Sequence, residues 1–251
     1  FFVTFAAVIM LPTVILNSAY WGQCDSIYTT FIILTLLYLY REKYHRAFMF
    51  LGIAFAFKMQ TIFIFPFIIC FYIYKKQFSI FELLITVFTF WISGIGAFVQ
   101  GRSLLDPFRI YANQTGTYQY MHVNFPSFWM FVGNDYEWLK TAAIVMAAGI
   151  CGMGLYIIMK RKLDCSRPEN FVSIASWFIW TCVLFLPAMH ERYAYPLEIL
   201  LVILTCINKD YLKYSSVAIL FSLFTYGNYL FSNGGLDKYI VIIYAGCYYI
   251  L

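Results

Sequence analysis

The chain repeatedly runs for roughly eleven to nineteen mostly apolar residues and then breaks into a short polar cluster. That alternation restricts it more than any motif does. A charged side chain at the centre of a lipid bilayer costs roughly 3 kcal/mol even on the lenient insertion scale, so polar clusters mark where segments leave the apolar phase. Only 12% of the residues are charged and 63% are hydrophobic, against about 25% charged in an ordinary soluble domain. The pattern predicts an all-α membrane protein, a polytopic helical bundle. A transmembrane β-barrel would instead show alternating segments of about ten residues.

Ten segments are expected, over residues 1–17, 27–40, 47–57, 61–74, 81–99, 141–159, 170–187, 195–207, 215–231 and 238–251. Several are shorter than the ~20 residues that span a ~30 Å hydrocarbon layer. These are expected to be half-helices, to borrow flanking residues, or to sit where the protein is thin. The whole of 1–251 reads as one transmembrane domain. It opens on Phe1-Phe2 and closes inside an apolar run, so it is expected to be a fragment.

Charge orients the segments. Of the 17 lysines and arginines, eleven fall on one set of alternate connections (Arg41, Lys43, Arg46, Lys75, Lys76, Lys160, Arg161, Lys162, Arg167, Lys209 and Lys213). That set is cytoplasmic by the positive-inside rule. The opposite face then collects Trp21-Gly22-Gln23-Cys24-Asp25, Lys58-Met59-Gln60, the long 100–140 connection and His190-Glu191-Arg192. The 100–140 loop alternates Arg102, Asp106 and Arg109 with Leu104, Leu105, Phe108 and Ile110, which suits a helix lying along the membrane surface.

Residues 186–196 hold the densest chemistry. His190, Glu191 and Arg192 stand side by side between Pro187, placed to end one helix, and Pro196, placed to open the next. Such groups between apolar runs are functional candidates, with interfacial anchoring as the alternative. Lys58 is a candidate phosphate contact or a snorkelling lysine. Gln60 and Gln23 suit sugar hydroxyls or helix–helix hydrogen bonds. Asp25 fits three roles equally: orienting a cation, binding an acceptor, or capping the helix that begins at Ile27. Arg102 and Arg109 could reach a donor phosphate, and Trp21 could stack on a sugar or serve as a belt aromatic. His122 is given no role. The seven cysteines lack ligand spacing and read as packing residues; no metal and no cofactor are expected. No P-loop or GxGxxG fingerprint is present, and no nucleic-acid partner is expected.

Trp21-Gly22-Gln23-Cys24-Asp25-Ser26, the Lys58-Met59-Gln60 turn followed by Pro66, Asn124-Phe125-Pro126-Ser127-Phe128-Trp129, and Leu186-Pro187-Ala188-Met189-His190-Glu191-Arg192-Tyr193 occur in this order. Together they resemble the GT-C superfamily of integral-membrane glycosyltransferases, over roughly residues 10–200. The likeness is greatest to bacterial mannosyltransferase-like proteins related to the second mannosyltransferase of GPI-anchor synthesis. It implies inverting transfer of a hexose, mannose by likeness, from a polyprenyl-phosphate donor to a glycan or glycolipid acceptor on the outer face. It also implies a multi-pass location, in a bacterial plasma membrane or, in a eukaryote, the ER membrane. His190, Glu191 and Arg192 would then serve catalysis, and Lys58, Gln60, Gln23, Asp25, Trp21, Arg102 and Arg109 substrate binding. The superfamily's catalytic base, an acidic residue, lies in the first outer loop, which this chain is expected to begin beyond, so the fragment alone is expected to be inactive. The rival readings are a polytopic transporter or lipid-linked-sugar flippase, which would show paired interrupted halves, and a membrane O-acyltransferase, which would need a cytoplasmic donor path.

Overall fold

The computed structural model describes residues 2–114, 117–231, 242–246 and 248. Helices account for most of them, and the only strands among them are two residues long. The chain groups into two units, residues 1–25 with 120–251, and residues 26–119.

In the first unit, α1 (Phe2–Ile9) breaks at Met10-Leu11, and α2 (Pro12–Val14) runs on into a π-helical stretch at Ile15–Tyr20. The two parts meet at 52°. Pro12 has no N–H to donate, so the break falls where the ladder must be interrupted anyway. Helix α3 (Asp25–Tyr40) begins at the unit's edge. The centre of the unit is α10 (Pro168–Phe185) against α11 (Tyr195–Ile207). From Ile174 to Phe185 nearly every α10 residue is buried. Proline opens both helices at a first-turn position, where its missing N–H would be unpaired in any case. Around them lie α9 (Tyr136–Arg161) and α12 (Leu212–Phe231). Gly154 lets α9 approach α10: a Cβ there would stand 2.4 Å from the Trp177 ring.

Residues 120–135 are anchored at three points. Strand β1 (His122–Val123) pairs in parallel with β2 (Met189–His190), His122 opposite Met189 and Val123 opposite His190. The Asn134 carboxamide oxygen accepts from Met121 N at 2.7 Å, and Trp129 Nε1 donates to the Phe185 carbonyl at 2.7 Å. Asn124 and Ala188 flank the pairing with φ of 53° and 59°. For Ala188 that is an uncommon conformation, held here because its N–H donates back to the Tyr120 and Met121 carbonyls.

The second unit is built on α4 (Tyr44–Phe57) and α6 (Glu82–Ile92), with α5 (Phe65–Lys75) following a 3₁₀ turn at Met59–Ile64. Thr86 Oγ1 donates to the Phe48 carbonyl at 2.9 Å. The expected segment 81–99 is not one helix. It turns at Ser93-Gly94 before α7 (Ile95–Val99), because Gly94 packs against Phe98 and Pro107 where a Cβ would collide. The amphipathic helix of the loop is α8 (Asp106–Gln114), shorter than the alternation over 102–119 suggests.

Helix α9 has 26 residues and is long and apolar enough to cross a membrane. The bent pair α1 with Pro12–Tyr20 passes the same test if it counts as one span. The other apolar helices picked out among the described residues have 10–17 residues. The expected segment 238–251 lies largely outside the described residues.

The tightest approach in the second unit gives a stability prediction. A Cβ at Gly52 would stand 2.6 Å from the Thr86 carbonyl oxygen and 2.7 Å from Thr89 Cβ, both on α6. Gly52→Ala should therefore cost about 1–3 kcal/mol, read as a lowered unfolding midpoint in detergent, whereas Gly96→Ala, with open space around it, should leave the midpoint unchanged.

Candidate functional site

The site in the first unit forms where two chain breaks meet: the π-helical end at Ile15–Tyr20 with the turn to Asp25, and the loop between α10 and α11. Pro187 and Pro196 do bracket that loop as expected, with α10 ending at Phe185 and α11 starting at Tyr195.

Arg192 is the hub. Its Nη1 donates to Glu191 Oε1 at 3.1 Å, and its Nε lies 3.9 Å from Asp25 Oδ2. Its guanidinium carbon stands 5.0 Å from the Trp21 ring centroid. Nη2 makes no hydrogen bond among the described residues, so part of the fork stays available. Glu191 and Asp25 are fully buried while the Arg192 side chain is 19% exposed. Arginine suits this place because its charge is delocalised, weakly hydrated and able to stack. His190 Nδ1 lies 3.7 Å from Glu191 Oε2, which becomes an ion pair when the imidazole is protonated. Its ring packs on Tyr193, centroids 5.1 Å apart.

Asp25 stands in the first turn of α3, inside the helix, and so is not a cap ahead of Ile27. It accepts from Asn17 Nδ2 at 2.8 Å, and the same nitrogen lies 3.3 Å from the Tyr226 hydroxyl. Trp21 is wedged edge-on to Tyr226 and tilted on Tyr229, at 5.7 and 4.8 Å. The structure thus brings Trp21, Asp25, His190, Glu191 and Arg192 together. Gln23 is half-buried in the same turn, and its N–H donates to the Asn17 carbonyl.

The other candidates belong to the second unit. Lys58 ends α4 in extended backbone, with its ammonium 5.5 Å from the Tyr28 ring, and Gln60 follows in the 3₁₀ turn. Arg102 and Arg109 line a cavity of about 620 Å³ between α6, α7 and α8, together with Phe90, Phe98 and Tyr111. Arg109 is 3.7 Å from Asp106, and the Tyr111 hydroxyl donates to the Phe55 carbonyl.

Four polar residues here were not singled out as site residues from sequence. Asn17, Tyr226, Glu198 and Ser222 are buried beside the predicted ones. Glu198 carried a signal, as an acid inside the apolar run 195–207. Asn17 did too, as an amide closing the run 1–17. Tyr226 and Ser222 carried none. His122, given no role, lies in β1 beside the loop, and burial holds its imidazole below the ordinary value. Among the described residues no group of three or more His, Cys, Asp or Glu side chains is placed to hold a metal.

Asn17→Leu should remove a donor from a buried carboxylate and cost about 1–3 kcal/mol of stability, measured as a lowered unfolding midpoint. Tyr226→Phe, which deletes only the longer contact, should cost less. Compared with protein-family models, curated proteins and solved structures, the chain matches none.

Proposed function

We propose that this chain is a multi-pass membrane glycosyltransferase of the GT-C kind. In this reading it moves a hexose from a polyprenyl-phosphate donor to a glycan or glycolipid acceptor. The observation that carries the reading is Arg192, a half-buried guanidinium held in place by Glu191, Asp25 and the Trp21 face, with His190 beside it.

Glycosyl transfer with inversion needs two things. The acceptor hydroxyl attacks the anomeric carbon and gives its proton to a carboxylate, while the bond from that carbon to the phosphate oxygen breaks. The departing polyprenyl phosphate then takes up negative charge. A pre-oriented guanidinium meets that charge better than a mobile lysine does, because its donors are fixed before the bond breaks. The carboxylates of Glu191 and Asp25 and the face of the Trp21 ring hold the guanidinium in place. Within the first unit Gln23 is a candidate hydroxyl partner; taken by itself, the second unit offers Lys58, Arg102 and Arg109 as candidate phosphate contacts and Gln60 as a candidate hydroxyl partner. The 620 Å³ cavity, lined by aromatic rings and two arginines, has the mixed character that a lipid phosphate requires.

The membrane placement is supported by what the helices expose. Only 22% of the apolar window of α9 is buried, and its outward side chains include Trp138, Val145, Met153 and Tyr156, each at least 60% exposed. A core helix of a soluble protein would bury that face. The shorter helices would cross as broken or tilted segments.

The test is transfer from a radiolabelled polyprenyl-phosphate hexose by the full-length protein in membranes. Arg192→Lys keeps the charge and loses the planar fork. It should lower turnover by about 10²-fold, with the protein still inserted and of unchanged size-exclusion profile. Turnover equal to wild type for both Arg192→Lys and His190→Ala would end the phosphate-stabilising assignment.

A further inference from the structure

Beneath the Arg192 cluster lies a third buried carboxyl that the transfer chemistry does not use. Glu198 is fully buried in the first turn of α11. Ser222 Oγ on α12 donates to its Oε1. Its Oε2 has no hydrogen-bond partner among the described residues, and neither does the fully buried Thr13 hydroxyl that faces the same carboxyl. No Lys, Arg or His among the described residues forms an ion pair with it.

Charge counting separates Glu198 from its neighbours. Asp25 and Glu191 are the two anions of the cluster, and they share Arg192 and, when protonated, His190. One permanent cation, Arg192, already serves both carboxylates and forms no ion pair with Glu198. A third carboxylate in the same interior would have no compensation, and an isolated buried charge is strongly disfavoured even after relaxation. A proton removes that cost and gives the carboxyl a donor on the side where the unpartnered Thr13 hydroxyl faces it.

We infer that Glu198 is a proton-binding site, a neutral carboxylic acid at neutral pH, with Ser222 and Thr13 as its two hydroxyl partners. The groups that face it are Asp25 from the first turn of α3, Tyr195 from α11 itself and Tyr226 from α12. Helix α1 brings no titratable side chain. Helix α10 brings Cys182 and Glu169, the latter bound by Asn208 at the far end of α11. Lys209, Asp210 and Tyr211 also lie beyond that far end. Asp25 would meet a second negative charge when the proton leaves, so the occupancy of Glu198 sets the electrostatic surroundings of the Arg192 cluster.

The sign of the pH dependence follows. A carboxyl that is neutral in the folded interior and ionises in water once the chain unfolds stabilises the fold less as pH rises above the ordinary glutamate range of about 4.3. The loss is up to about tenfold in the folding constant per pH unit. Infrared spectra of the full-length protein in nanodiscs at neutral pH should show a protonated-carboxyl stretch that shifts in D₂O and is missing in Glu198→Gln. The unfolding midpoint of wild type should fall with rising pH more steeply than that of Glu198→Gln. Thr13→Val and Ser222→Ala should keep the band and move its frequency, which preserves the test if Glu198→Gln does not fold. No acid band, a band unmoved by both hydroxyl variants, or stabilisation by sodium over potassium that Glu198→Gln abolishes would overturn the proposal; the last would make the group a carboxylate holding a metal cation. None of these measurements reads sugar transfer, so they can fail or succeed independently of the transferase reading.

Discussion

The interaction on which the site depends is the pairing of one guanidinium with two carboxylates that have no access to water. Asp25 and Glu191 are each fully buried, and neither is tolerable there as a lone anion. Arg192 meets both, from two different atoms of one rigid group. That bond network joins a turn near residue 25 to a loop near residue 191, so the interior is specified by charge as well as by shape. Trp21 completes it with a face on which the cation rests.

The helix packing obeys a second demand, close backbone approach. In each unit one glycine does this: Gly52 between α4 and α6, and Gly154 beside Trp177 between α9 and α10. Such contacts let the two backbones approach more closely than any larger residue would allow. The large exposed residues on α6 and α9 are the outward counterpart of this inward economy.

Sequence alone revealed the helical class, because apolar runs and charge-free windows are local properties. It also located the two prolines that frame the His190 loop, since proline acts on its own backbone. It placed Asp25 beside the right tryptophan but could not choose among its roles. The partner that decides them, Arg192, lies 167 positions away. The split of segment 81–99 escaped notice because the cause is packing of Gly94 on Phe98 and Pro107, which no composition window records. Tyr226 and Ser222 were invisible for a related reason. In an aromatic- and hydroxyl-rich helix nothing local distinguishes the one that faces a carboxyl. The pairing of β1 with β2, between residues 67 positions apart, left no signal in its two-residue strands.

That short pairing gives the 120–135 segment a mechanical relation to the chemistry. His122 and Val123 hold the backbone of Met189 and His190, not their side chains, while Trp129 grips the last turn of α10 from the other side. Any displacement of the segment is thus transmitted to the imidazole of His190 through main-chain geometry, whereas Arg192, two residues on, is moored to separate elements by its own side chain. The imidazole and the guanidinium are in this sense mounted on different frames, one tied through its backbone to a distant stretch of chain and the other through its side chain to Glu191, Asp25 and Trp21.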